Sequence, residues 1–142
     1  MKCVVLSRRD AVVLSCGHIP EPSVIISITG TGCAPVLFAE NEQIKAILRL
    51  CFNDVYKGGF GAMNADDADS IVRFCLNWLP QTNLLVHCEA GVLRSAGVCA
   101  AILKWYEGDD MQIFGNPYYR PNIHCYSEVL KAFERSVDAD AE

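Results

Sequence analysis

Cys88 and Arg94 are the residues of this chain whose types and spacing could do chemistry. They bracket Glu89-Ala90-Gly91-Val92-Leu93, with His87 just before and Ser95 just after. Leu84-Leu85-Val86 is a short apolar run that reads as a buried strand, and Ser95 to Trp105 has helical apolar spacing. A loop wound between a strand end and a helix start turns backbone N–H groups inward, and the helix dipole adds partial positive charge at the same place. A dianionic phosphate fits such a cradle. Arg94 can hold two phosphate oxygens with its planar fork. The same field favours Cys88 as a thiolate, with a pKa of about 3.5–7.5 in place of about 8.5. Attack by that thiolate on a phosphate ester would give a phosphocysteine and release an alcohol or phenol. The leaving oxygen then needs a proton from a carboxylic acid near the pocket.

The elements that must position these groups follow from the pattern of the chain. Lys2 to Leu6 reads as a short strand. Ser7-Arg8-Arg9-Asp10 has capping-box spacing and predicts a helix over Arg8 to Cys16, although Ala11 to Leu14 also suit a strand. Ser23 to Thr29 is a β-branched run that reads as a central strand ended by Gly30-Thr31-Gly32. Ile44 to Phe52 is expected to contain a third core strand. Asn53-Asp54-Val55-Tyr56 leaves it, and Lys57-Gly58-Gly59-Phe60-Gly61 is a flexible surface loop. Asn64 is a good N-cap for a helix with Asp66, Asp67 and Asp69 in its first turns. Ile71, Phe74, Cys75, Trp78 and Leu79 line the inner face of that helix, and Pro80 stops it. Met111 to Phe114 suggests a short helix, and Ile123 to Val137 a last amphipathic one. The acidic tail, about residues 137–142, is expected to fray. Strands alternating with helices predict an α/β fold with a mainly parallel central sheet and helices on both faces. The cysteine loop would lie at the carboxy end of a strand, where open α/β sheets bind ligands. With no repeat or low-complexity linker, residues 1–142 are expected to form one domain.

Composition narrows the function classes. The formal net charge of −5 leaves no footprint for nucleic acid or an anionic membrane. No apolar run is long enough to span a bilayer, and the first ten residues lack the apolar stretch of a signal peptide, so a cytoplasmic protein is expected. The eight cysteines are nowhere closer than eleven residues, with no Cys-x-x-Cys pair. A metal site is therefore not expected, and reduced thiols are.

His87-Cys88, five residues, then Arg94-Ser95 resembles the signature of the cysteine-dependent protein tyrosine phosphatases. The short chain is more similar to their compact, dual-specificity-like branch. Leu93 departs from the pattern, being bulkier than the residue often found there. The resemblance implies a protein tyrosine phosphatase-like fold, a metal-free and cofactor-free mechanism, and a role for each matching residue. Cys88 would be the nucleophile, and Arg94 with the backbone N–H groups of Glu89, Ala90, Gly91, Val92 and Leu93 would bind phosphate. Ser95 would hydrogen-bond the sulfur and ease its departure, and His87 would orient the loop without acting as a base. The family places its general acid in a loop after a strand, about as far upstream as Asp54 lies. Asp54 opens the glycine-rich loop, whereas capping already accounts for Asp66, Asp67 and Asp69, so Asp54 is the favoured acid. Arg120-Pro121-Asn122 before the final helix also resembles the family, in a structural role.

The substrate implied is a phosphorylated protein, foremost phosphotyrosine with phosphoserine and phosphothreonine as further candidates, or a small phosphate ester. The acidic Glu89 and the lack of lysine in the loop weigh against highly anionic phosphoinositides. A phosphoprotein-binding pseudophosphatase without turnover is the non-enzyme alternative. Cys51, placed on a strand beside that of Cys88, is a candidate partner for a redox disulfide with it.

Overall fold

The computed structural model describes residues 1–141. Its strands are β1 (Cys3–Leu6), β2 (Ser23–Thr29), β3 (Ile44–Cys51) and β4 (Asn83–His87). Its helices are α1 (Arg8–Ser15), α2 (Ala65–Trp78), α3 (Arg94–Glu107), α4 (Met111–Phe114) and α5 (Ile123–Ala141). The strands form one parallel sheet in the order β1-β4-β2-β3. All residues of β2 are buried, as an interior strand covered on both faces requires. Side chains alternate across the sheet. Val24, Ile26, Ile28, Leu84 and Val86 enter the main core with residues of α2, α3 and α5. Ile25 and Leu85 are buried on the opposite face, where α1 packs on β1 and β4.

Because every strand runs the same way, their carboxy ends share one edge of the sheet. The register pairs Leu6 and Ser27 with His87, and Thr29 with Cys51. Four chain exits therefore converge there: Ser7, Gly30, Phe52 and Cys88. α3 starts from the last of these and is buried from Ser95 to Leu103. Gly97 lets the backbone before α5 approach it closely, since a Cβ there would stand 2.5 Å from the Asn122 carbonyl oxygen.

Several expectations change. β3 is an edge strand, bonded to β2 alone and partly exposed, where a third core strand was expected. Its Lys45 and Arg49 suit a one-sided position. Since β2 separates β3 from β4, Cys51 does not lie beside Cys88. Two inter-strand steps of about 4.8 Å exceed the Cα separation a disulfide allows. α5 does not end near Val137 but carries helical backbone through Ala141. Arg135 of α5 donates to Asp69 of α2 at 2.8 Å. Glu142 lies outside the described residues. The sulfurs of Cys3 of β1 and Cys99 of α3 meet. Both are buried in the strand–helix interface, a meeting that their separation of 96 residues conceals. Among the described residues, no helix is long and apolar enough to cross a membrane.

Candidate active site

The loop from Cys88 to Leu93 is held from outside by its carbonyl groups. Glu89 O accepts from Arg8 N, Val92 O from Arg120 N, and Leu93 O from both Gly97 N and Asn122 N, each at 3.0 Å. With the carbonyls drawn outward, the N–H groups are left to face the centre of the turn. Among the described residues, no N–H from Glu89 to Leu93 donates to a backbone carbonyl outside it. Gly91 permits the curvature. Its φ is +73°, and a Cβ would meet the backbone of Leu6 and Ser7 at 2.6 Å, so β1 presses directly on the loop. Leu93, the bulky residue of the loop, is half-buried and stands at the N-cap of α3.

Cys88 sits at the bottom of this turn, with its Sγ 3.0 Å from Ser95 Oγ. Burial alone would raise its pKa. The Ser95 hydroxyl, the Ser95 and Gly91 N–H groups and the Arg94 charge together outweigh burial and hold the thiol below its ordinary value. Elsewhere the balance is reversed: burial pushes Cys75 up to about 12. Replacing Ser95 with alanine removes the hydroxyl donor and leaves the N–H groups and Arg94. We expect the pH midpoint for alkylation of Cys88 by iodoacetamide to move upward in Ser95→Ala, without loss of reactivity at high pH. An unchanged midpoint would show that the hydroxyl does not support the thiolate.

Arg94 spans the gap from the first turn of α3 to the end of β3. Its Nη1 donates to Phe52 O at 3.0 Å, while Nε is buried without a hydrogen-bond partner among the described residues. One side of the guanidinium is thus anchored and the other is free for an anion. An unpaired charged donor is costly when buried, and an oxyanion would satisfy it. His87 lies beneath the loop. Its Nδ1 faces Cys88 O at 3.0 Å and its Nε2 faces Ser27 Oγ at 2.6 Å. A carbonyl only accepts, so Nδ1 carries the hydrogen and Nε2 accepts from Ser27. Burial, opposed by the Cys88 carbonyl, lowers the His87 pKa and keeps the ring neutral. Both ring nitrogens are thus engaged beneath the loop, one by Ser27 and one by the Cys88 carbonyl.

Asp54 is exposed and is held from its side by Asn122, whose Nδ2 donates to Asp54 Oδ1 at 2.7 Å and to Val55 O at 3.2 Å. The same Asn122 caps α5, its Oδ1 accepting from Cys125 N, and its own N–H bonds Leu93 O. One side chain and its backbone therefore join the acidic loop, the cysteine loop and the last helix. Asp54, Arg94 and Cys88 also converge electrostatically on the buried Cys125, which burial foremost pushes up to about 12. Asn53 closes the glycine-rich loop. Its N–H donates to Gly61 O, its Nδ2 to Phe60 O, and its Oδ1 accepts from Thr31 N. The other acids are occupied elsewhere. Asp67 completes a capping box with Asn64, Asp69 pairs with Arg135, and Asp66 lies in the first turn of α2.

Of the residues singled out by type and spacing, Cys88 and Ser95 meet directly, the charge of Arg94 acts on the Cys88 thiol, His87 bonds the Cys88 carbonyl, and Asp54 is linked to the loop through Asn122. Glu89 faces outward, its carboxylate 3.8 Å from Arg8. Asn53, Asn122 and Ser27 were not recognised as part of the site. Only Asn122 carried a local signal, in the resemblance of Arg120-Pro121-Asn122 and as an asparagine at the N-cap position of a predicted helix.

No family model matches this sequence, and no curated protein matches it. Solved structures do. The human tyrosine phosphatase-like serine/threonine/tyrosine-interacting protein is 18% identical, with a TM-score of 0.65 over 96% of this chain and 93% of that one. Human DUSP28 is 17% identical, with a TM-score of 0.59 over 97% and 94%. PTPMT1 is 21% identical, with a TM-score of 0.53 over 99% and 94%. The chain has the fold of the protein tyrosine and dual-specificity phosphatases.

Proposed function

We propose that the chain is a cysteine-dependent phosphatase that hydrolyses phosphate monoesters through a phosphocysteine intermediate. The observation that carries this reading is the seat of Cys88. A thiol held below its ordinary pKa faces a turn of inward N–H groups, beside a guanidinium whose Nε is buried and unpaired. In this reading the phosphate sits on the loop and on Nε and Nη2 of Arg94. The Cys88 sulfur attacks phosphorus in line, and Asp54 gives its proton to the departing oxygen. Water then attacks the phosphocysteine, Asp54 takes up its proton, and the Ser95 hydroxyl stabilises the thiolate as it leaves. Catalysis rests on positioning and on preorganised donors. We take phosphorylated protein as the substrate, phosphotyrosine first and phosphoserine or phosphothreonine next.

A small phosphate ester is the alternative substrate class. PTPMT1 has been solved with PI(5)P, but here the loop brings an outward glutamate and no lysine. The experiment is an assay with p-nitrophenyl phosphate, followed by phosphotyrosine and phosphoserine peptides at matched sequence. Turnover with p-nitrophenyl phosphate and faster release from the phosphotyrosine peptide are expected. Phosphate or peptide binding without turnover would replace the enzyme reading by that of a phosphoprotein binder.

A further inference from the structure

Beside the phosphate cradle, a cavity of about 170 Å³ lies between the turn after β2 and the end of β3. Two thiols line it, Cys33 and Cys51, both exposed, with Thr29, Val36 and Arg49. They converge on Gly30. The Gly30 carbonyl accepts from Cys33 N at 3.1 Å and from the Cys51 thiol at 3.3 Å. The Cys33 sulfur turns back over the same residue, 3.7 Å from where a Cβ of Gly30 would stand. Cys51 is paired in register with Thr29, the neighbour of Gly30, so the strand spacing sets Cys51 beside the turn that carries Cys33. Gly32, between Gly30 and Cys33, has φ +81° with nothing within 4 Å of a Cβ position, so open space adjoins the turn there.

We propose that Cys33 and Cys51 form a dithiol that a peroxide converts into a disulfide, and that this bond acts on the seat of Arg94. One thiolate attacks a peroxide oxygen, the O–O bond breaks, and hydroxide leaves to be protonated, giving a sulfenic acid. The second thiol attacks that sulfur, the S–S bond forms and water departs. Two thiols are oxidised, one hydrogen peroxide is reduced and two waters result. The coupling follows from what the thiols adjoin. Arg94 Nη1 is anchored on the carbonyl of Phe52, the residue after Cys51, and stands 3.7 Å from the Cβ position of Gly30. Drawing Cys33 onto Cys51 displaces both sides of that seat. The disulfide rests on this geometry alone, whereas its effect on anion binding rests on the phosphate-cradle reading.

The test uses the full chain with Cys88→Ser, which removes the competing low-pKa thiolate. The protein is treated with hydrogen peroxide, its remaining thiols are blocked, and it is digested without reductant for mass spectrometry. A linked pair of peptides holding Cys33 and Cys51 is expected, absent when either is changed to serine. Tungstate affinity, measured by calorimetry on the same samples, should fall severalfold on oxidation and return with reductant. Cys33 and Cys51 recovered as separately blocked thiols would overturn the proposal. So would equal linking to Cys16, which follows α1 at the opposite edge of the sheet. A Cys33–Cys51 link with unchanged tungstate affinity would overturn the coupling. Failure of the reduced protein to bind tungstate at all would count against the phosphate cradle, while the linked peptide would still decide for the dithiol.

Discussion

Cys88→Ser abolishes turnover of p-nitrophenyl phosphate, and the variant still binds inorganic phosphate or tungstate. The two halves of this expected result come from different atoms. Turnover needs a nucleophile ionised at neutral pH, and the environment that holds the Cys88 thiol below its ordinary pKa cannot ionise a serine hydroxyl, which is a far weaker acid. Binding needs the inward N–H groups and Arg94, which the substitution leaves in place. The serine oxygen is smaller than sulfur and would still lie beside Ser95 Oγ, so the loop is not forced open. Removing a negative sulfur from opposite a dianion also relieves repulsion, so affinity should hold or rise. Steady-state kinetics and calorimetry on the same preparation separate the halves. Retention of more than a few per cent of activity would rule out Cys88 as the nucleophile. Loss of binding, with an unchanged urea midpoint, would mean that the sulfur itself holds the anion.

The centre of the site was legible because its groups are contiguous. His87, Cys88, Arg94 and Ser95 lie within one strand–loop–helix unit, so residue types, spacing and local pattern point to one geometry. The same holds for β2, whose continuous β-branched run marks a strand buried on both faces. What was not legible depends on which strands become neighbours. Local pattern revealed that Ile44 to Phe52 is extended, but not that β2 would stand between it and β4. That one fact moves Cys51 away from Cys88 and sets it beside Thr29, on a cavity that Cys33 also lines. The contacts of Ser27 with His87, Asn122 with Asp54, and Cys3 with Cys99 likewise join positions 60, 68 and 96 residues apart. The helical course of 138–141 was hidden for another reason. Acidic residues at a helix carboxy end oppose the dipole, which conceals the helix propensity of the neighbouring alanines.

Asp54→Asn should lower kcat by roughly 10²–10⁴-fold, the usual scale of general acid catalysis. The structure gives this carboxylate a position without using it up. Asn122 Nδ2 holds Oδ1 at 2.7 Å, and in the proposed mechanism Oδ2 carries the proton toward the leaving oxygen. An asparagine side chain can keep the bond to Asn122 through its own carbonyl oxygen, so the loop stays in place while the transferable proton is lost. Asp66, Asp67 and Asp69 are poor rivals because the first turn of α2 and the Arg135 pair already employ them. Asp67→Asn should therefore act chiefly on stability, through the capping box, and leave kcat near the parent value. The leaving group supplies the sharper test. A phenol of low pKa departs with little help, whereas an ordinary phenol or an alkyl alcohol needs the proton. The Asp54→Asn loss should thus be small for p-nitrophenyl phosphate and large for phenyl phosphate, with phosphotyrosine peptides resembling the latter. KM should change little, since Asp54 does not hold the phosphate in this mechanism. Equal losses for the two aryl phosphates, or a greater loss from Asp66→Asn or Asp67→Asn, would assign the proton to another group.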